Sequence, residues 1–262
     1  MLNPSAPPFP KGGEVYPPFL RGMKGDQAAF FKQLRYYNLS KFQLERKGIM
    51  ISAILLGAGE SKRMKVNKLS LPWGRETVFE HCFNTLLRSR VGEVIVVLNK
   101  QNEGMKNQFE KRSASPTKKV KVTFNPCYKR GMSTSIHKGL QVMDPRSEGI
   151  LISLGDQPFL KTRTIDALLR AFHQGKGKIL VPSFRGMKGH PVIFHRKYEK
   201  ELLKLRGDTG GKPILLKHSK QIKTIPVRSV GVIKDIDTRE EYQKALRMRR
   251  GRDERRNSGK IG

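Results

Sequence analysis

Ile49 to Leu56 form an unbroken apolar run that stops at Gly57. A run with no polar face is buried on both sides, as in a parallel sheet, and a parallel strand needs a crossover to reach its neighbour. The rest of the chain supplies that alternation. Strand-like apolar runs recur at 94–98, 120–124, 150–154, 179–182, 191–194 and 221–227. Helix-period segments lie at 77–89, 102–112, 133–143, 162–174, 196–205 and 239–248. The alternation predicts an α/β fold built on a doubly wound, mostly parallel sheet. Such sheets bind ligands outside the carboxyl ends of their strands, so the loops after 49–56 and after 150–154 are where function is expected.

The ends read differently. Residues 1–49 carry Pro4, Pro7, Pro8, Pro10, Pro17 and Pro18 and only one short helical pattern, so they are expected to be a poorly ordered extension; Met50 is a candidate initiator. Residues 50–248 are expected to form the domain, and 249–262 a basic, disordered tail. No apolar stretch approaches the roughly 18 residues that a membrane span needs. Neither a membrane segment nor a signal peptide is predicted, and a cytoplasmic protein is the expectation. Cys82 and Cys127 stand far apart with no CxxC, which excludes a zinc module or disulfide framework and leaves them to be read as ordinary buried thiols.

The chain has 53 Lys+Arg against 22 Asp+Glu, a net charge of +31, spread over the domain as well as both ends. Such a field attracts polyanions of every kind. No helix-turn-helix, RNA-recognition or zinc-finger pattern accompanies it, so a specific nucleic-acid partner is not expected.

Gly57-Ala58-Gly59-Glu60-Ser61-Lys62-Arg63-Met64 follows the first strand, and its glycines let backbone N–H groups approach an anion. The third glycine of a dinucleotide fingerprint is missing, as is the GK[ST] of a Walker loop. A plain turn and a phosphate loop both fit the glycines. Arg63 and Lys68 add a forked and a point-like cation beside the loop, although a solvated basic face is the bland alternative. Asp156, in Leu154-Gly155-Asp156-Gln157-Pro158, stands just past a strand, where a carboxylate can hold Mg²⁺ over phosphates or simply cap a turn. Asp237, in Asp235-Ile236-Asp237-Thr238, offers a second carboxylate, next to a capping box of Thr238 with Glu241. His190 and His195 are five apart on a strand-like run, which points them to opposite faces and argues against a zinc pair.

These stretches, with Lys68-Leu-Ser-Leu-Pro-Trp-Gly74, resemble the nucleotidyltransferases of the molybdenum-cofactor, MobA-like family. Asn125-Pro-Cys-Tyr-Lys-Arg-Gly-Met-Ser-Thr-Ser-Ile, Lys188-Gly-His-Pro191 and Arg206-Gly-Asp-Thr-Gly-Gly211 are similar to its cytidylyltransferase branch, and the resemblance spans about residues 50–245. It implies a Rossmann-like, three-layer α/β/α nucleotidyltransferase fold with a mostly parallel central sheet. It also implies transfer of CMP from CTP, or of another NMP from its NTP, to the terminal phosphate of a molybdopterin-type acceptor. By resemblance, Leu56, Gly57, Ala58, Gly59, Arg63, Lys68, Ser135 and Asp156 bind the nucleotide, and Arg63, Lys68 and Asp156 are catalytic. Asp156 and Asp237 hold Mg²⁺, with Mn²⁺ as an alternative, and His190 lies near the acceptor. A molybdenum hydroxylase receiving the product is the implied partner.

Two positions depart from the family. Gly57-Ala58 stands where Ala-Ala or Ala-Gly is usual, at the place where cytidine and guanosine enzymes differ, so both bases stay open. Lys65 replaces the glycine that usually follows Arg-Met. A transferase for sugar phosphates or other phosphorylated metabolites, and a charge-driven nucleic-acid binder, are the alternative readings. Gly186 and Gly189 suggest a flexible loop over the acceptor.

Overall fold

The computed structural model describes residues 49–59, 64, 66–111 and 119–258. In chain order, β1 (Met50–Gly57) leads through the hairpin β2 (Pro72–Trp73) and β3 (Glu76–Thr77) into α1 (Val78–Leu87). β4 (Glu93–Leu98), α2 (Lys106–Lys111), β5 (Lys119–Phe124), α3 (Met132–Val142), β6 (Ser147–Leu154) and α4 (Thr162–His173) follow. The remainder is β7 (Ile179–Phe184), β8 (Met187–Lys188), β9 (Val192–His195), α5 (Glu199–Leu202), α6 (Lys212–Lys217), β10 (Ile222–Pro226) and α7 (Arg239–Ser258).

The main sheet runs β10-β7-β9-β6-β1-β4-β5, with β8 paired to β7. β1 lies at its middle, parallel to β4 and β6, and β5 and β10 extend the parallel pairing at the two edges. β9 runs against its neighbours β6 and β7, and the short β8 against β7. The α/β expectation therefore holds, with a mostly parallel, mixed sheet. Every strand-like run predicted from the sequence is a strand.

Helices cover both faces. Ile54 of β1 shares a buried cluster with Ile136 and Leu140 of α3, whereas Gly57, an odd number of residues along, backs onto Phe79 of α1. α1 starts at a capping box: Glu80 N–H donates to Thr77 Oγ1 at 3.2 Å and Thr77 N–H to Glu80 Oε2 at 2.7 Å. A second cluster joins Trp73 of the β2–β3 hairpin to Phe159, Ile236 and Tyr242, and Tyr242 Oη donates to Pro72 O at 2.6 Å. Through it α7 is tied to the hairpin. Among the described residues no helix is long and apolar enough to cross a membrane.

Several local expectations need correction. α7 continues through Ser258, into the stretch expected to be disordered. Extending a helix already nucleated at Arg239 is cheap, and Gly251 costs it only about 1 kcal/mol. The 102–112 and 196–205 segments are each a 3₁₀ turn followed by a shorter α-helix. The Gly186 segment is a hairpin, with Arg185 at φ 50° and Gly186 at φ 84° in the turn and Ser183 opposite Lys188. Cys127 is exposed, because Asn125 and Pro126 turn the chain out of the sheet; Cys82 is buried as expected, and burial pushes its thiol far up. Residues 1–48, Lys65 and 259–262 lie outside the described residues.

A Cβ added to Gly139 would stand 2.5 Å from Cγ2 of the fully buried Ile54. Alanine is the better helix former by about 1 kcal/mol, but Ile54 is β-branched and packed on all sides, so overpacking governs. Gly139→Ala is expected to lower the unfolding free energy by about 1–2 kcal/mol in urea titrations. A gain in stability would show that Ile54 yields.

Candidate active site

The carboxyl ends of β1 and β6 lie side by side, and one aromatic ring fixes both. A Cβ on Gly57 would stand 2.4 Å from the Phe79 ring, and one on Gly155 2.5 Å from it. Gly155 N–H donates to Leu56 O at 3.0 Å, joining the two ends just beyond the ladder. Gly57 is thus a glycine because of Phe79 below it. Gly59 has open space where a side chain would be, as close approach of a ligand to its backbone requires.

Beyond β6, Ile236 N–H donates to Asp156 O at 3.0 Å. This bond lays the Asp235–Thr238 segment along the strand end and brings Asp237 beside Asp156. The capping box closes the same segment, with Glu241 Oε2 accepting from the Asp237 and Thr238 N–H groups and Thr238 Oγ1 from Glu241 N–H. Lys68 enters from the opposite side on a 3₁₀ turn, Lys68–Ser70, whose first turn is capped by Asn67 Oδ1 accepting from Leu69 N–H. Its Nζ lies 2.6 Å from Asp156 Oδ2 and 2.7 Å from Asp237 Oδ1. Burial opposes the Lys68 charge, but the two carboxylates outweigh it and hold the ammonium above its ordinary range. Asp235 is nearby; burial, then the Asp156 charge, raises its carboxyl above the usual values.

A cleft of about 660 Å³ opens over this cluster. Leu56, Ala58, Gly59, Lys68, Ser135, Asp156 and Asp237 all line it, so most of the predicted residues converge. Gly57 supports the cleft from below. Arg63 lies outside the described residues. His190 is not among the lining residues: it is mostly buried, its N–H donates to Val232 O at 2.7 Å, and burial lowers its pKa against the pull of Asp156. His195 ends β9 and caps the next turn by accepting from Lys197 N–H, whereas His190 lies before that strand.

The far wall is the start of α3. Asn125 Nδ2 donates to Thr134 Oγ1 at 2.8 Å and to Ser135 Oγ at 2.9 Å, and its Oδ1 accepts from Cys127 N–H. A Cβ on Gly131 (φ 105°) would lie 2.3 Å from the Gly207 carbonyl carbon, so these two loops touch backbone to backbone. Asp208 Oδ1 accepts from Met132 N–H at 3.0 Å and Gly207 O from Ser133 N–H at 3.1 Å. Lys129, Arg130 and Asp208 also face the cleft. Sequence reasoning named their motifs without giving them roles, since nothing in a single sequence pairs residue 131 with 207.

The arrangement can bind a polyanion: open backbone at Gly59 and cations at Lys68, Lys129 and Arg130. Its carboxylates can also hold a divalent cation. Asp156 Oδ1 is buried with no hydrogen-bond partner among the described residues, which leaves one lone-pair face of that carboxylate unused.

Comparison with known proteins agrees with this chemistry. Residues 53–222 match the family described as the MobA-like NTP transferase domain. The purine catabolism protein PucB of Bacillus subtilis is 29% identical over 200 residues, 74% of this chain and 95% of that protein. The Escherichia coli molybdenum cofactor cytidylyltransferase is 23% identical, covering 73% of this chain and 93% of its own. A probable molybdenum cofactor guanylyltransferase of Methanosarcina mazei is 29% identical over 61% of this chain and 68% of its own. The solved structure of Rv0371c from Mycobacterium tuberculosis H37Rv superposes with a TM-score of 0.64 at 24% identity, covering 76% and 98% of the two chains, a likeness of fold.

The glycine loop and Lys68 are held in register by asparagines. Asn102 Nδ2 donates to Gly57 O at 3.2 Å and Asn99 Nδ2 to Ala58 O at 3.1 Å. Asn102 Oδ1 accepts from Asn67 Nδ2 at 2.6 Å, and Asn67 caps the turn that carries Lys68. Asn102→Ala strips a buried carbonyl of its donor, and the unfolding free energy is expected to fall by about 1–3 kcal/mol. A urea titration that changes by less than about 0.5 kcal/mol, the range of ordinary surface substitutions, would mean that the loop holds without it.

Proposed function

The chain belongs to the MobA-like NTP transferase family, and from that premise we propose that it moves CMP from CTP to the terminal phosphate of a molybdopterin-type cofactor, releasing pyrophosphate. Nucleotidyl transfer itself follows from the family. The cytidine base and the molybdopterin acceptor are this reading's own steps, supported by the Lys188–Pro191 and Arg206–Gly211 motifs and by the name of the Escherichia coli relative. We assign the activity to residues 50–248, with a molybdenum hydroxylase as the partner receiving the product.

One observation carries the chemistry: a lysine ammonium held between two aspartates at the floor of a polyanion-sized cleft. The attacking group is an acceptor phosphate oxygen, already anionic at neutral pH because a phosphate's second pKa is about 6. No general base is needed. The new bond forms between that oxygen and the α-phosphorus, the bond from the α-phosphorus to the bridging oxygen breaks, and pyrophosphate leaves with the electron pair. The protein's part is to align two polyanions and absorb charge.

The Gly59 backbone and Arg63 would hold the triphosphate, Lys68 would face the charge that builds as pyrophosphate departs, and Ser135 would contact the nucleoside from the α3 wall. His190, buried near Asp156, would act from beneath the acceptor side. Asp156 and Asp237 fit a hard divalent cation through oxygen ligands, and the unpartnered Asp156 Oδ1 supports that fit. Mg²⁺, or Mn²⁺, bound there would neutralise charge on the transferring and leaving phosphates.

A second reading keeps the reaction and exchanges CTP for GTP; the Methanosarcina relative favours it, and Gly57-Ala58 leaves the base open.

The test is pyrophosphate release with Mg²⁺ and molybdenum cofactor, run in parallel with CTP, GTP and ATP and without cofactor. Cofactor-dependent turnover with CTP is the expected result. Turnover with GTP alone moves the base assignment, and turnover on a phosphosugar without cofactor overturns the acceptor. Asp156→Ala is expected to lower kcat/KM at least a hundredfold, about 3 kcal/mol of transition-state stabilisation. Unchanged turnover would remove Asp156 from the machinery.

A further inference from the structure

We propose that the hollow between the polar face of α3 and the 205–207 loop is a second ligand site, separate from the reacting cleft, and that it takes a phosphomonoester without a metal ion.

The hollow has a volume of about 520 Å³, within the range of small-molecule sites. Thr134, His137, Lys138 and Gln141 line it, at the three- and four-residue spacings that put side chains on one face of a helix. Leu205, Arg206 and Gly207 supply a second wall, and Asn125 and Cys127 close the hollow just past the end of β5. The two walls are fixed to each other by backbone: Gly131 packs on Gly207, and Ser133 N–H donates to Gly207 O at 3.1 Å. Among the described residues, Arg130 alone lines both this hollow and the reacting cleft.

The electrostatics of the two cavities are opposite in kind. The reacting cleft is lined by four aspartates, whereas no Asp or Glu is among the described residues that line the hollow. Arg130, Lys138 and Arg206 all line it. Other cations of the chain face a carboxylate of their own, as Lys217 faces Glu201 at 2.9 Å and Arg146 faces Asp144 at 2.8 Å. Arg206 Nη1 donates to Leu205 O at 2.9 Å and Leu203 O at 3.3 Å, which steadies the guanidinium and leaves its other N–H groups for a ligand. His137 adds no charge: its Nε2 donates to Leu202 O, and burial lowers its pKa, with the Arg206 charge acting in the same direction against that bond.

These features select a ligand class. A divalent cation would find no carboxylate here, so the anion comes without one. Three cations suit a group that carries close to two negative charges, as a phosphate ester with a free terminus does, better than the single charge of a phosphodiester. Arginine forks match phosphate oxygens in pairs. The buried Leu205 and the His137 ring offer apolar surface to the ester's organic group.

The test is calorimetric titration of the full chain with phenyl phosphate, at fixed ionic strength and with a chelator present. Saturable binding is expected, weakened about tenfold in Lys138→Met and again in Arg206→Met, as loss of one charge-assisted contact implies. Lys68→Met, which alters only the reacting cleft, is expected to bind phenyl phosphate as the parent does. Cys127 reports the location: it is exposed and lines the hollow, whereas Cys82 is buried. Phenyl phosphate is expected to slow alkylation of Cys127 by the uncharged reagent iodoacetamide. Absence of binding overturns the proposal, as does unchanged affinity in both Lys138→Met and Arg206→Met with circular dichroism showing them folded. Binding lost in Lys68→Met, or alkylation of Cys127 that proceeds unslowed at saturation, puts the ligand elsewhere and also overturns it.

Discussion

The ring of Phe79 beneath Gly57 and Gly155 is the contact on which the site's geometry depends. Any side chain at either glycine would lift one strand end off α1. With both ends seated on the same ring, the loop after β1 and the Asp156 turn after β6 have one fixed separation. Everything that acts on a ligand hangs from that pair of ends. Asp237 is placed by a bond to the Asp156 carbonyl, the glycine loop is braced by Asn99 and Asn102, and Lys68 is braced by Asn67. The same bracing ties each half of the site to the other, so a polar group lost from the asparagine chain reaches both the phosphate loop and the lysine.

The second anchor is the contact between Gly131 and Gly207, which brings the start of α3 against the 206–211 loop. Backbone packs on backbone there, and Asp208 and Gly207 satisfy the N–H groups of Met132 and Ser133. The first N–H groups of α3 are thus used by the protein itself. The groups of this cleft that stay open to an anion are the Gly59 backbone and the side chains of Lys68, Lys129 and Arg130.

Much of the architecture was legible because the strands are buried on both faces and so read as nearly continuous apolar runs, from Ile51 to Leu55 with only Ser52 polar and from Ile150 to Ile152. The Asp156 and Asp237 positions were legible because each follows such a run. Four features were not. β9 looks like any other apolar strand, and direction is carried by the connection, here the β7–β8 hairpin, instead of by composition. α6 is six residues with Pro213 near its start, too short to show a period. Cys127 carries no local sign of exposure; its environment is set by the turn that Asn125 organises through bonds to Thr134 and Ser135 of α3. His190 shows the same dependence: its N–H donates to Val232 O, in a segment that no local pattern announces.

The net charge of the chain and the charges of the cleft pull in opposite directions. A net charge of +31 draws phosphates of any kind toward the surface. The cleft itself is different, since Asp156, Asp208, Asp235 and Asp237 all line it. A bare phosphodiester arriving there meets carboxylates, one of them, Asp235, already above its usual range through burial and then the Asp156 charge. The long-range field thus concentrates anions without choosing among them. The acidic floor opposes a plain phosphate backbone, while Lys68, Lys129 and Arg130 leave cationic ground beside it.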